Sequence, residues 1–227
     1  FKFRHALHDI ETLNKKALAA ELPITAVSVA AYPDIADRYY MMRAGGSFGD
    51  GYGPIVVARS PMKIADLRNA KIAIPGLKTS AYLALSLAAP AFTPLVVPFD
   101  QIMDAVLAGD CDAGLLIHEG QLTYKSAGLE RVLDLGIWWS DRTAGLPLPL
   151  GVNAIRRDLD PEALSEITRL FSESIAYALA HRPESVSYAM NFSRGLDSST
   201  TDKFIGMYVN DLTKDMGARG ESAIRRF

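Results

Sequence analysis

Cysteine is nearly missing from this chain of 227 residues. Cys111 stands alone, which excludes any intrachain disulfide and any cysteine-based zinc cluster. Long apolar runs are missing too. A membrane-spanning helix needs roughly 18 or more consecutive apolar residues, and the richest stretch, around Ala81 to Ala91, is short and interrupted by Pro90. Positive charge is not in excess: 24 Lys and Arg stand against 26 Asp and Glu, a formal charge of −2, so no basic field exists to gather nucleic acid. The sequence has no internal repeat and no low-complexity tract. What remains is an ordinary globular mix, 49% hydrophobic and 22% charged, long enough for one large domain or two small ones. The expected partner is a small molecule, with no nucleic acid and no membrane, and the expected compartment is the reducing cytoplasm. Because the chain opens at Phe1 inside an apparent strand, its natural beginning is expected to lie upstream.

Phe1 to Leu7 alternates apolar and polar residues and predicts a half-buried strand, after which Asp9 caps a helix carrying Ile10, Leu13, Ala17 and Leu18 on one face. Strands are expected at Ala26–Ala31 and Tyr39–Arg43. Between Gly45 and Gly53 five glycines predict a loop. From Pro54 the pattern alternates strand and helix: strands at 55–58, 71–74, 92–97, 113–117 and 132–135, helices at 64–69, 79–89 and 99–108. Such alternation predicts a mainly parallel α/β sheet. Leu146 to Gly151 is rich in proline, one more strand follows at 152–155, and the rest is helical, starting from Asp160 as cap with Pro161 at the first helical position. The expected helices after that one span 184–192, 200–216 and 219–227. The glycine loop and the proline-rich stretch bracket the middle alternation. The simplest arrangement is a discontinuous first domain, 1–54 with 152–227, and an inserted second domain, 55–151, with a hinge and a ligand cleft between them.

The glycine loop lacks the Gly-Lys-Ser/Thr ending of a phosphate loop and precedes a strand, so it reads as a hinge or cleft edge. Gly76 to Tyr82 places hydroxyls and free backbone amides at a helix start after a strand. Thr79, Ser80 and Ala81 there either hold an anion or merely cap the helix. His118 ends the apolar run 113–117, at the carboxyl end of a buried strand, where open α/β sheets keep their sites. It is equally readable as a general base or as a hydrogen-bonded histidine at a domain boundary. Asn14 falls on the polar side of the first helix, where solvent exposure is the usual outcome, and Ser28 reads as a packed hydroxyl. Trp138, Trp139, Arg142 and Thr143 wall a pocket or fill a core. Cys111, between Asp110 and Asp112, is a poor nucleophile. His5, His8 and His181 are joined by no acidic cluster, so no metal site is expected.

Taken in order, Asp9-Ile10-Glu11-Thr12-Leu13-Asn14, Ser28 to Tyr32, Gly53 to Arg59, Pro75-Gly76 with Thr79 to Tyr82, Ile117-His118-Glu119 with Leu122-Thr123-Tyr124, Asp134-Leu135-Gly136 with Trp138-Trp139, Leu146 to Gly151, and Tyr208-Val209-Asn210 resemble the 1,4-dihydroxy-6-naphthoate synthase family of the futalosine route to menaquinone. The resemblance runs over almost the whole chain. It implies a two-lobed α/β fold like type II periplasmic binding proteins and a lyase that converts cyclic dehypoxanthine futalosine to 1,4-dihydroxy-6-naphthoate. It implies no metal and no organic cofactor, with His118 as general base and Asn14, Ser28, Ser80 and Ala81 as ligand contacts. A homodimer is permitted by the resemblance and argued by no sequence stripe. The resemblance also implies an N-terminal strand and turn before Phe1. Two alternatives share the fold: a non-catalytic solute-binding protein, which has no need of a base at His118, and the related chorismate dehydratase.

Overall fold

Asp9 accepts a hydrogen bond from Thr12 N at 3.0 Å and so caps the first helix, α1 (Ile10–Leu18). The computed structural model describes residues 3–89, 91–191 and 198–227. Among these residues nine strands follow in chain order: β1 (Ile24–Ser28), β2 (Tyr39–Met41), β3 (Ser47–Gly49), β4 (Ile55–Ala58), β5 (Lys71–Ile74), β6 (Thr93–Val96), β7 (Ala113–Leu116), β8 (Glu130–Asp134) and β9 (Leu148–Arg156). They form two sheets. In the first, β9 pairs antiparallel with β1, β2 and β3; in the second, the order is β6-β5-β7-β4-β8.

The helices between strands are α2 (Ser80–Ala88), α3 (Ile102–Ala108), α4 (Gly120–Thr123) and α5 (Leu135–Arg142). Among the described residues five more follow: α6 (Pro161–Ala180), α7 (Arg182–Met190), α8 (Ser198–Tyr208), α9 (Asp211–Lys214) and α10 (Gly217–Arg226). Both faces of the second sheet are covered. Val56, Ile72, Ile74 and Leu115 pack with Leu85 of α2 and Trp139 of α5, while Ile55, Val57, Ala73 and Leu116 pack with Ile102 and Val106 of α3. Burial on both faces is why β4 and β7 are continuous apolar runs. In the first sheet Val27, Tyr39, Phe48, Val152 and Ala154 pack against Ala17 of α1 and Met216.

Several expectations need correction. Residues 3–7 form no strand, and Phe1 and Lys2 lie outside the described residues. The alternating pattern finds no ladder there, leaving Phe3 and Leu7 exposed. In the second sheet β6, β5, β7 and β8 share one direction, as a mainly parallel sheet requires, but β4 enters between β7 and β8 antiparallel to both. The glycine-rich segment is not all loop, since Ser47–Gly49 pairs with β9. Nor does the proline-rich stretch break the chain: β9 begins at Leu148 and runs through Pro149. Proline donates no N–H to a ladder, and the register of β3 against β9 shifts between Ser47 and Phe48, where Phe48 faces Pro149.

Helix boundaries also move. The helix expected at 64–69 is a single 3-10 turn, Ile64–Leu67. The one expected at 200–216 divides because Asn210 caps a new helix, accepting from Leu212 N at 3.0 Å. The one expected at 184–192 starts earlier, at Arg182, and its end at Phe192 lies outside the described residues. Asp160 caps α6, with Pro161 in its first turn, as the sequence predicts. Trp138 and Trp139 lie on α5, an element the alternation does not foretell. There Trp139 is buried and donates through Nε1 to Pro147 O at 3.0 Å.

Candidate active site

Ser28 at the end of β1, Thr79 before α2 and His118 after β7 line a common cavity of about 260 Å³. Its lining draws on both sheets: Ala26, Ser28, Ser47 and Leu150 to Val152 from the first, Thr79 to Ala81 with Ile117, His118 and Gln121 from around the second, and Phe204 and Tyr208 from α8. Among the described lining residues none is Asp, Glu, Lys or Arg. His118 is therefore the one lining group whose ordinary pKa lies near neutrality. A second cavity of about 590 Å³, lined by the start of α1 and by Val96 to Asp100, holds none of the sequence-predicted site residues.

His118 follows β7, the central strand of its sheet. Its φ is 55°, a left-handed conformation costing an L residue about 1–2 kcal/mol. The imidazole is half-buried and lies edge-on to Phe99, with ring centroids 4.9 Å apart, and 6.4 Å from the ring of Phe204. Two aromatic rings thus limit where it can point.

α2 begins opposite. Thr79 caps it, with Oγ1 accepting from Tyr82 N at 3.2 Å and donating to Gly76 O at 2.8 Å. Ser80 Oγ donates to Leu150 O at 2.5 Å and accepts from Ala30 N at 3.2 Å, so this hydroxyl ties α2 to both β9 and the segment after β1. Both hydroxyls are engaged within the protein. The backbone N–H groups of Ser80 and Ala81 open the helix and have no intrahelical acceptor, so they present partial positive charge at the cavity wall.

Ser28 lies in that wall, and its partner does not. Asn14 is fully buried behind it, with Oδ1 accepting from Ser28 N at 2.8 Å and Nδ2 donating to Ser28 Oγ at 3.0 Å and to Lys78 O at 3.3 Å. This corrects the expectation of solvent exposure for Asn14. The amide is polar but fully matched, and that allows burial. Of the six sequence-predicted residues, Ser28, Thr79, Ser80, Ala81 and His118 line the cavity, and Asn14 braces one of them. Sequence reasoning missed Gln121, Phe204 and Tyr208. The only signal was Tyr208-Val209-Asn210, noted as a pattern without a role. No group of three His, Cys, Asp or Glu among the described residues is placed to hold a metal ion.

The sequence profile described as menaquinone biosynthesis matches residues 1–227. The chain belongs to that family. The 1,4-dihydroxy-6-naphthoate synthase of Thermus thermophilus is 44% identical over 220 residues, covering 97% of this chain and 80% of that protein. The family member is accordingly an enzyme, a lyase-type synthase of menaquinone biosynthesis. A crystal structure of an Archaeoglobus fulgidus protein matches with a TM-score of 0.94 at 50% identity, covering 98% of this chain and 83% of that one. At 16% identity, the alkanesulfonate-binding protein of Xanthomonas axonopodis gives a TM-score of 0.64 over 88% of this chain and 71% of its own. That likeness concerns the fold alone: the family uses a periplasmic-binding-protein-like α/β fold. No described helix is long and apolar enough to cross a membrane.

Proposed function

We propose that this family member cleaves cyclic dehypoxanthine futalosine to 1,4-dihydroxy-6-naphthoate, with His118 as general base in a cleft between two lobes. The first lobe is 1–54 with 148–227 and the second 55–147, the expected boundary at 151 moving back because β9 of the first sheet already begins at Leu148. This division is supported by the first sheet's use of strands from both sides of the second. The observation that carries the reading is the lining itself, apolar apart from a few hydroxyls and amides, with one imidazole. A carboxylate or hydroxyl of the substrate fits the Ser28 hydroxyl and the Ser80 and Ala81 N–H groups at the start of α2. The apolar wall takes the ring system. Exclusion of water strengthens those polar contacts and holds the imidazole near the proton it removes as the sugar-derived part leaves and the ring becomes aromatic.

The test is product formation by wild type and His118→Ala, incubated with cyclic dehypoxanthine futalosine and assayed by mass spectrometry. Expected are naphthoate from the wild type and a slowing of roughly a hundredfold or more in a variant that still binds. Equal turnover by both removes His118 from its role. Tight binding of a small acid without product by the wild type points to a solute-binding protein instead.

A further inference from the structure

Gln121 and Tyr208 meet in the cavity wall beside His118, though they are 87 residues apart in sequence. The Tyr208 hydroxyl lies 2.8 Å from one atom of the Gln121 amide head and 2.9 Å from the other. With Nε2 turned toward Gly53 O, at 2.6 Å, Oε1 comes within 3.3 Å of His118 N and every polar atom of the amide has a partner. One side chain thereby joins three places: the end of the glycine-rich segment, the left-handed residue after β7, and the last residue of α8.

We propose that Gln121, clamped by Tyr208, is a positioning residue that holds His118 in its left-handed backbone conformation and so aims the imidazole into the cavity. This rests on the reading of His118 as the base. A residue in a sparsely populated backbone region persists only where its surroundings over-determine it. Here α8 acts on His118 twice: Phe204 limits the ring from one side, and Tyr208, one helical turn later, anchors the amide that meets the backbone. Tyr208 is itself fixed, edge-on to Tyr52 with centroids 5.5 Å apart and tilted against Phe204 at 5.2 Å. Burial raises its pKa, so the phenol stays protonated and remains a donor through the neutral range. Only an amide supplies an acceptor for His118 N and donors for Gly53 O at once. A carboxylate in its place loses the donors and an apolar side chain loses everything.

The experiment measures kcat and KM separately, with cyclic dehypoxanthine futalosine, for Tyr208→Phe, Gln121→Glu and Gln121→Leu, each in the wild-type and the His118→Ala background. Misplacing a base lowers kcat, so Tyr208→Phe and Gln121→Leu are expected to lose about tenfold or more in kcat with KM within about twofold. Gln121→Glu, which keeps the acceptor, is expected to recover part of the loss. In the His118→Ala background the same substitutions are expected to cost nothing further, since there is no imidazole left to aim. Equal losses in both backgrounds, a change confined to KM, or no change at all overturns the positioning role. Should Gln121→Leu fail to fold, Tyr208→Phe, which removes one oxygen and keeps the ring, decides the matter alone. A wild type that makes no naphthoate overturns this inference together with the reading of His118. An active wild type with indifferent variants overturns the inference only.

Discussion

Asn14 binds Ser28 through both ends of its amide, accepting from the backbone N–H and donating to the hydroxyl. A third bond, to Lys78 O, draws in the segment before α2. One buried side chain thus fixes the Ser28 wall relative to the helix start that faces it. Asn14→Leu is close in size but leaves Ser28 N–H and Lys78 C=O without their partner, and a stability loss of about 1–3 kcal/mol is expected. Thermal unfolding reads it, and an unchanged midpoint would remove Asn14 from its bracing role.

Gly136 touches the backbone that crosses from the first sheet to the second. A Cβ built there falls 1.9 Å from Tyr52 O and 2.5 Å from Gly53 N, whereas one on Gly128 meets nothing within 4 Å, although the φ of Gly128 is +82°. Gly136→Ala is therefore expected to cost more than about 2 kcal/mol, through displacement of the 52–53 backbone. Gly128→Ala is expected to cost only the left-handed penalty of about 1–2 kcal/mol. Urea unfolding of both variants, alongside naphthoate formation, separates them. Since Gly53 O faces Gln121, Gly136→Ala is expected to lose activity as well, and equal behaviour of the two variants would show that the close approach is unimportant.

Asp134 ends β8 and caps α5, accepting from Gly136 N at 3.0 Å and Ile137 N at 3.1 Å. Burial raises its pKa against the lowering effect of these bonds and of Arg131. A carboxyl whose folded pKa lies above its unfolded one contributes stability that is full below the unfolded value. That contribution is lost as pH rises through the folded value. At neutral pH the buried carboxylate therefore weakens the fold. Asp134→Asn keeps an oxygen for both N–H groups and removes the charge, so its stability relative to wild type is expected to improve between about pH 3 and about pH 7. Asp134→Ala removes the same titration and follows the same pH trend, lowered throughout by about 1 kcal/mol for the lost cap. Denaturant midpoints at the two pH values check this, and a difference for Asp134→Asn that does not vary with pH would contradict it.

Local chemistry was readable from the sequence. Caps at Asp9, Thr79 and Asp160 each start the helix expected, and the buried run before His118 is the strand expected. Long-range pairing was not readable. The direction of β4 depends on two neighbours far along the chain, and Pro149 sits in β9 opposite a register shift in β3, before the β1 ladder begins at Gly151. The same division runs through the site. Thr79, Ser80, Ala81 and His118 sit at element ends that periodicity can find. Asn14 looked exposed because its partner Ser28 lies on another element, and Gln121 and Tyr208 meet only once α8 is packed against α4.

β9 is the sole ladder partner of β1, β2 and β3 among the described residues. The first sheet consequently has no hydrogen-bonded pair until the ribosome has delivered residues 148–156, while every strand of the second is already synthesised. Closing so long a loop carries an entropic cost before any contact compensates it. A nascent chain halted just after residue 146 is expected to protect the amides of β4 to β8 from hydrogen exchange and leave those of β1 to β3 open. His118 is then in place before the wall that faces it exists, and the cavity is complete only when a late strand closes an early one.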